Sequence, residues 1–211
     1  MSEKIIILAG VHGEEIQSSF LLEDVCKDYK LYQEQSFTSF INSKQNIIAI
    51  PRFNIFGLAK QTRGNKNQVD LNRNLPSSNW SHKHSHPAYY PGTNAASEQE
   101  TKDFLELLKE FEASLIISIH TNHFVTVQHP AQINFDGQEN SQGFFYAQKL
   151  AKVFNLELTQ NIGYPTPGSL GSYAKEINIP CITIELEHEL SSQEIQTKYS
   201  EVLTEYLKTL S

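Results

Sequence analysis

His12 and Glu15 stand three apart in the stretch Val11-His12-Gly13-Glu14-Glu15. A turn can bring a histidine and a glutamate at that spacing to one metal centre. Two more groups of the same kind lie far down the chain. His120 closes the run Leu115-Ile116-Ile117-Ser118-Ile119, and Glu185 closes Cys181-Ile182-Thr183-Ile184. Two histidines and a glutamate are the ligand set of one class of catalytic zinc site, which leaves a position open for water. Such a site also needs a carboxylate to take a proton from that water, and Glu185 is placed for it. Plainer readings stand beside these. A His-x-x-Glu pair is often a helix cap with a carboxylate nearby, and a histidine ending an apolar run can be a core residue. Glu187 reads as a solvated or structural carboxylate facing away from Glu185. His123 and His129 read as surface or supporting residues, and the alternating His82, His84 and His86 as part of a solvated loop.

Each group needs an element to hold it. Ile5-Ile6-Ile7-Leu8-Ala9 is a short β-branched run that reads as a buried strand. Gly10 and Gly13 follow, where the chain must turn sharply and let backbone approach closely. Ile16, Phe20, Leu21 and Val25 then recur at helical spacing. His12 and Glu15 therefore fall at the carboxyl end of a strand and the mouth of a helix, where open α/β sheets bind ligands. Residues 31–45 are polar and carry no clear signal. Asn46 to Ile50 reads as a strand stopped by Pro51. From Arg52 to Thr93 no periodicity emerges, and a loop that long is usually functional.

Ser97 followed by Glu100 reads as a capping box opening a helix that carries Phe104, Leu107, Leu108 and Phe111. Leu115 to Ile119 is a strand and Phe124 to His129 a candidate strand. Tyr146, Leu150, Val153 and Phe154 mark a helix, and Leu156 to Gln160 a candidate strand. Residues 163–169 are a loop, followed by a short helix through Ala174 and the strand Cys181 to Ile184. A last helix carries Ile195, Tyr199, Val202, Leu203, Tyr206 and Leu210 on one stripe. Strands alternating with helices predict an α/β fold with a central mixed, mainly parallel sheet flanked by helices on both faces. The length of 211 residues fits a single catalytic domain over 1–211.

Hydrophobic residues are 39% and charged residues 19%, which places the chain among globular proteins. A net charge of -7 argues against nucleic acid and anionic membranes as partners. Cys26 and Cys181 are too few for a disulfide framework and read as reduced core residues. The chain passes from Met1 straight into the first strand without a signal peptide, and no run approaches a membrane span. A cytoplasmic protein is the expectation.

His12-x-x-Glu15, Asp70-Leu71-Asn72-Arg73-Asn74, Ser118-Ile119-His120-Thr121 and Thr183-Ile184-Glu185-Leu186 together resemble the signature set of the zinc carboxypeptidases, the M14 family. Any one motif is weak, but four in family order from about residue 5 to 190 are specific. The resemblance implies one Zn2+ per chain, with His12, Glu15 and His120 matching its ligands. It matches Arg63 to the arginine that polarises the scissile carbonyl and holds the oxyanion. Asn72 and Arg73 match the pair that grips the substrate's terminal carboxylate, and Glu185 the general base. Tyr164 is the nearest match to a tyrosine on a mobile loop, while Tyr173 reads as packed.

Within the family, Gly168-Ser169-Leu170-Gly171-Ser172-Tyr173 and the compact length are most similar to the murein tripeptide amidase A branch. That implies cleavage of a γ-D-glutamyl–diaminopimelate bond in a small peptide with a free carboxylate. There are departures. Leu75 stands where the family usually has Phe before Pro, and an N-terminal segment found in many relatives is missing. A second enzymatic reading is a relative of succinylglutamate desuccinylase and aspartoacylase, which remove acyl groups from amino acids. The Thr-x-Glu-Leu end and the Gly-Ser-Leu-Gly-Ser element favour the amidase. A non-catalytic binding protein would be expected to lack zinc ligands or Glu185, and all are in place.

Overall fold

The computed structural model describes residues 3–122, 130–160 and 162–210. In chain order its strands are β1 (Ile5–Ala9), β2 (Lys30–Glu34), β3 (Thr38–Asn42), β4 (Ile47–Ile50), β5 (Leu115–Thr121), β6 (Gln132–Asp136), β7 (Glu157–Thr159) and β8 (Cys181–Leu186). The helices are α1 (Ile16–Val25), α2 (Ile55–Lys60), α3 (Gln99–Phe111), α4 (Gln142–Phe154), α5 (Leu170–Glu176) and α6 (Ser192–Lys208). The strands form one sheet in the order β2-β3-β4-β1-β5-β8-β6-β7. Its centre, β4-β1-β5-β8, is parallel, while β2 and β3 pair antiparallel beside β4, and β6 pairs antiparallel with β8. The expected mixed, mainly parallel sheet is what forms.

Parallel strands between helix layers are covered on both faces, so they need apolar residues on both. Ile5 to Ala9 meet that requirement, and all five are buried. Ile5, Ile7 and Ala9 pack with Ile117, Ile119, Ile182 and Ile184 against α1, α4 and α6. Ile6 and Leu8 point the other way, with Ile116 and Cys181, against α3, α5 and the loop residues Phe53, Leu71 and Leu75. The site opens on this second face. Both cysteines are free and buried, and among the described residues no helix is long and apolar enough to cross a membrane.

Gly10 has φ +66, the left-handed region that glycine enters without strain, and there the chain leaves β1. A Cβ on Gly13 would stand 1.9 Å from the Gly57 carbonyl carbon, so this turn is pressed onto the start of α2. Asn54 caps α2, accepting from Gly57 N at 2.8 Å. Its amide then donates to Val11 O and Arg63 O, both at 3.3 Å, tying the His12 turn to the Arg63 segment.

Several elements differ from expectation. Residues 31–45 hold the β2–β3 hairpin, and the region after Arg52 holds α2 and a 3-10 turn over Leu71–Arg73. Strand β6 forms where no strand is expected, and the Phe124 to His129 candidate lies outside the described residues. Helix α3 begins at Gln99 without a side-chain cap, so no capping box forms at Ser97. The two side chains serve the long loop instead. Ser97 Oγ accepts from Asn74 at 3.0 Å and donates to Glu98 at 2.6 Å, and Glu100 accepts from Asn65 at 3.2 Å. A capping box does form at α6, between Ser191 and Glu194.

Candidate active site

Register decides what meets at the sheet's carboxyl edge. His120 on β5 pairs with Glu185 on β8, and Ser118 with Thr183. Alternate residues of a strand share a face, so these four side chains stand on the face that bears Ile116 and Cys181. A slip of one residue would carry Glu185 to the opposite core. The turn after β1 supplies His12, and Glu15 sits at the N-cap of α1 without capping it.

The Glu15 carboxylate is spent on the two histidines. Its Oε1 lies 2.7 Å from His12 Nδ1 and its Oε2 2.9 Å from His120 Nδ1, and Thr121 N donates to Oε2 at 3.3 Å. All three residues are buried. One donor atom from each lies within 4.8 Å of the others, and among the described residues no other His, Cys, Asp and Glu group gathers in this way. The outward nitrogens are held too. His12 Nε2 is 3.1 Å from Asp70 Oδ1, and His120 Nε2 is 3.0 Å from Ser118 Oγ. Protons on both Nε2 atoms leave both Nδ1 lone pairs facing Glu15, the arrangement a metal requires of neutral imidazoles.

Electrostatics point the same way. Burial alone would raise the Glu15 carboxyl, yet the charges and hydrogen bonds of His12 and His120 hold it well below the usual range. Burial would lower the His120 imidazole, but Glu15 outweighs it and raises its pKa. The metal-free centre thus favours a proton where a divalent cation would sit, and binding the cation would release it. The donor set and its supports fit zinc.

Asp70 is a residue whose part sequence reasoning missed. Its carboxylate meets His12, accepts from Arg63 Nε at 2.9 Å, and accepts from Asn72 N at 2.9 Å. Burial opposes its ionisation, but the charges of Arg63 and His12 hold the carboxyl far below the usual range. One buried group therefore orients the first histidine, the first arginine and the 3-10 turn. The Arg63 and Arg73 guanidinium groups both lie over the Tyr89 ring, at 5.1 and 5.3 Å from its centre. Arg73 donates to Asn72 O at 2.7 Å, and Asn72 Oδ1 accepts from Leu170 N at 2.9 Å, which turns the amide NH2 to the cleft. Gly168, at φ +71, passes so close that a Cβ would stand 2.3 Å from Arg73 O.

His12, Glu15, Arg63, Asn72, Arg73, His120, Tyr164 and Glu185 all line one cleft. Burial pushes the Tyr164 hydroxyl up to about 12, against the opposing charge of Arg73. Glu187 does not join them. The strand ends at Leu186, and Glu187 turns to α6, accepting from Lys198 Nζ at 2.6 Å and from Tyr199 OH at 2.9 Å. Tyr173 packs against the core of the site face. His82, His84 and His86 pack on Trp80, Tyr90 and Tyr89, and His123 and His129 lie outside the described residues.

Glu185 accepts no hydrogen bond from the described residues. Burial pushes its carboxyl up to about 8, with the charge of His120 opposing and that of Glu15 adding. A carboxyl whose folded pKa exceeds its unfolded value favours the fold below the unfolded pKa. That contribution is lost as pH rises through the folded pKa, here between about 4.5 and about 8. Metal-free Glu185→Gln should therefore melt above metal-free wild type by roughly 10 °C or more at pH 8 and by only about 2–3 °C at pH 5. Scanning calorimetry at the two pH values checks this, and an equal difference at both would refute it.

A family model described as zinc carboxypeptidase matches residues 1–200 of the chain. Murein peptide amidase A of Escherichia coli K12 is 29% identical over 210 residues, covering 93% of this chain and 76% of that protein. Murein peptide amidase A of Vibrio campbellii is 33% identical over 186 residues, covering 86% of this chain and 68% of that protein. The crystal structure of the murein-tripeptide amidase from Escherichia coli O157 superposes with a TM-score of 0.77 at 28% identity, covering 99% of this chain and 82% of that one.

Proposed function

The chain belongs to the zinc carboxypeptidase family, and on that premise we propose that this hydrolase holds one zinc per chain through His12, Glu15 and His120. We propose further that it cleaves the γ-D-glutamyl–diaminopimelate bond of small murein peptides, as a single catalytic domain over 1–211 acting in the cytoplasm. The observation that carries the reading is one cleft lined by both the three-donor centre with Glu185 beside it and a pair of buried arginines. The amidases to which the chain is similar support the choice of bond.

When bound, zinc supplies Lewis-acid polarisation of a carbonyl and makes water more acidic. Glu185 accepts a proton from the attacking water and returns it to the leaving nitrogen as the carbon–nitrogen bond breaks. Arg63, fixed by Asp70, faces the charge that develops on the carbonyl oxygen. Arg73 and the Asn72 amide bind the substrate's terminal carboxylate, and Tyr164 closes over it as a neutral phenol.

A guanidinium makes two parallel charge-assisted bonds to a carboxylate, whereas an ammonium does not. Arg73→Lys should therefore reduce kcat/KM for a peptide with a free C-terminal carboxylate by about 10²-fold, a loss in the range of a charged hydrogen bond. The C-terminally amidated peptide, already poor, should change by less than about threefold. Steady-state kinetics on the pair decide, and equal losses would remove Arg73 from this role.

A further inference from the structure

Glu185 is the middle of a row that crosses the sheet. His120 of β5 pairs with it on one side, and Gln132 of β6 pairs with it on the other. Directly opposed residues of neighbouring strands share a face, with Cβ atoms about 4.5–5.5 Å apart. A histidine, a carboxyl and an amide therefore stand side by side at one level. The histidine belongs to the three-donor centre. The amide has no part in any of the steps above.

Gln132 is 4% exposed, and its Nε2 is buried without a hydrogen-bond partner. An unpaired buried amide donor is costly and calls for a reason. Glu185, 5% exposed, accepts no hydrogen bond from the described residues. A donor without an acceptor thus adjoins an acceptor without a donor. Asn134, the next amide on this face, is already spent. Its Nδ2 donates to Asp136 at 3.1 Å, and its Oδ1 accepts from Thr159 Oγ1 at 3.2 Å. Gln132 does not line the cleft, so it reaches the chemistry through its neighbour and not through substrate.

We propose that Gln132 is the positioning residue of Glu185. Its NH2 donates to one carboxylate oxygen and so holds the other towards the attacking water. This rests on the reading above, in which Glu185 takes the water's proton. A carboxylate on a two-methylene stem, bonded to nothing, samples several rotamers. Proton transfer needs hydrogen-bond distance, so a base that wanders loses rate. An amide suits a group that gains and loses a proton. Its NH2 donates to the carboxylate, and its carbonyl accepts from the carboxylic acid.

Steady-state kinetics of the zinc-loaded enzyme on L-Ala-γ-D-Glu-diaminopimelate test this through a double-mutant cycle. Gln132→Met keeps the length of the side chain and removes both polar ends. It should lower kcat by about 10-fold or more, the worth of a hydrogen bond to a charged group, with KM and zinc content within about twofold of wild type. In the Glu185→Gln background the same change should cost less than about twofold. Full activity in Gln132→Met, a loss carried by KM alone, or an equal loss in both backgrounds would overturn the proposal. Gln132→Asn, which withdraws the amide by one methylene, serves the same cycle should Gln132→Met not fold. Urea unfolding of the metal-free proteins reads the pairing without turnover. Gln132→Met should lower the midpoint where Glu185 is present, and leave it unchanged or raise it in the Glu185→Met background, where no polar partner remains. Equal shifts in the two backgrounds would overturn the pairing. An uncleaved peptide or an active Glu185→Gln, together with coupled midpoints, would sink the reaction and keep the pairing. An inactive Glu185→Gln beside a fully active Gln132→Met would keep the reaction and sink Gln132.

Discussion

Glu185→Gln is expected to lower turnover by about 10²–10⁴-fold, the usual worth of general acid–base catalysis. Zinc content and substrate affinity should stay within about twofold of wild type. Gln keeps the size of the side chain and can still hydrogen-bond, but it cannot accept the proton of water. Glu185 shares a face with His120 through the β5–β8 register and is free of hydrogen bonds from the described residues. Glu187→Gln is the contrasting variant. Its carboxylate serves Lys198 and Tyr199 on α6, so activity should persist with at most a small loss of stability. Single-turnover rates and metal analysis on both variants give the comparison. A dead Glu187→Gln beside an active Glu185→Gln would mean that the wrong carboxylate has been assigned.

His120→Ala should abolish tight zinc binding and reduce hydrolysis to background. The variant removes one of the three proposed ligands and one of the two rings that the Glu15 carboxylate bridges. Asp70→Asn should act more mildly, weakening zinc by about 10–100-fold, because it disturbs the outward nitrogen of His12 and not a ligand. Competition against a chelator of known affinity measures both. Retention of one tightly bound zinc by His120→Ala would remove that residue from the ligand set.

The groups of the site were legible because buried apolar runs end abruptly in ionisable residues. Ile5 to Ala9 lead into His12, Leu115 to Ile119 into His120, and Cys181 to Ile184 into Glu185. A parallel sheet then brings three such ends to one edge. Asp70 and Ser118 stood inside quoted motifs, but their parts depend on contacts that only the folded chain makes; Asp70 meets a histidine 58 residues away. Strand β6 did carry a signal. Gln132-Ile133-Asn134-Phe135-Asp136 alternates with period two, and its polar side faces the cleft.

Other misses have their own causes. Strand β2 is largely exposed and β3 mostly half-buried, so neither carries a buried apolar run to read. Helix α2 is six residues long with a glycine inside, too short for a helical stripe. At Ser97 the local pattern misled, because tertiary partners in the long loop competed for the same side chains and won.

The most direct measurement is mass spectrometry of the zinc-loaded enzyme acting on L-Ala-γ-D-Glu-diaminopimelate in 18O-enriched water. Free diaminopimelate without label should appear together with an Ala-Glu dipeptide carrying one 18O in its γ-carboxyl, and Glu185→Gln should form both at least about 10²-fold more slowly. Intact tripeptide, with release of succinate or acetate from N-acyl amino acids by the same preparation, would contradict the assignment.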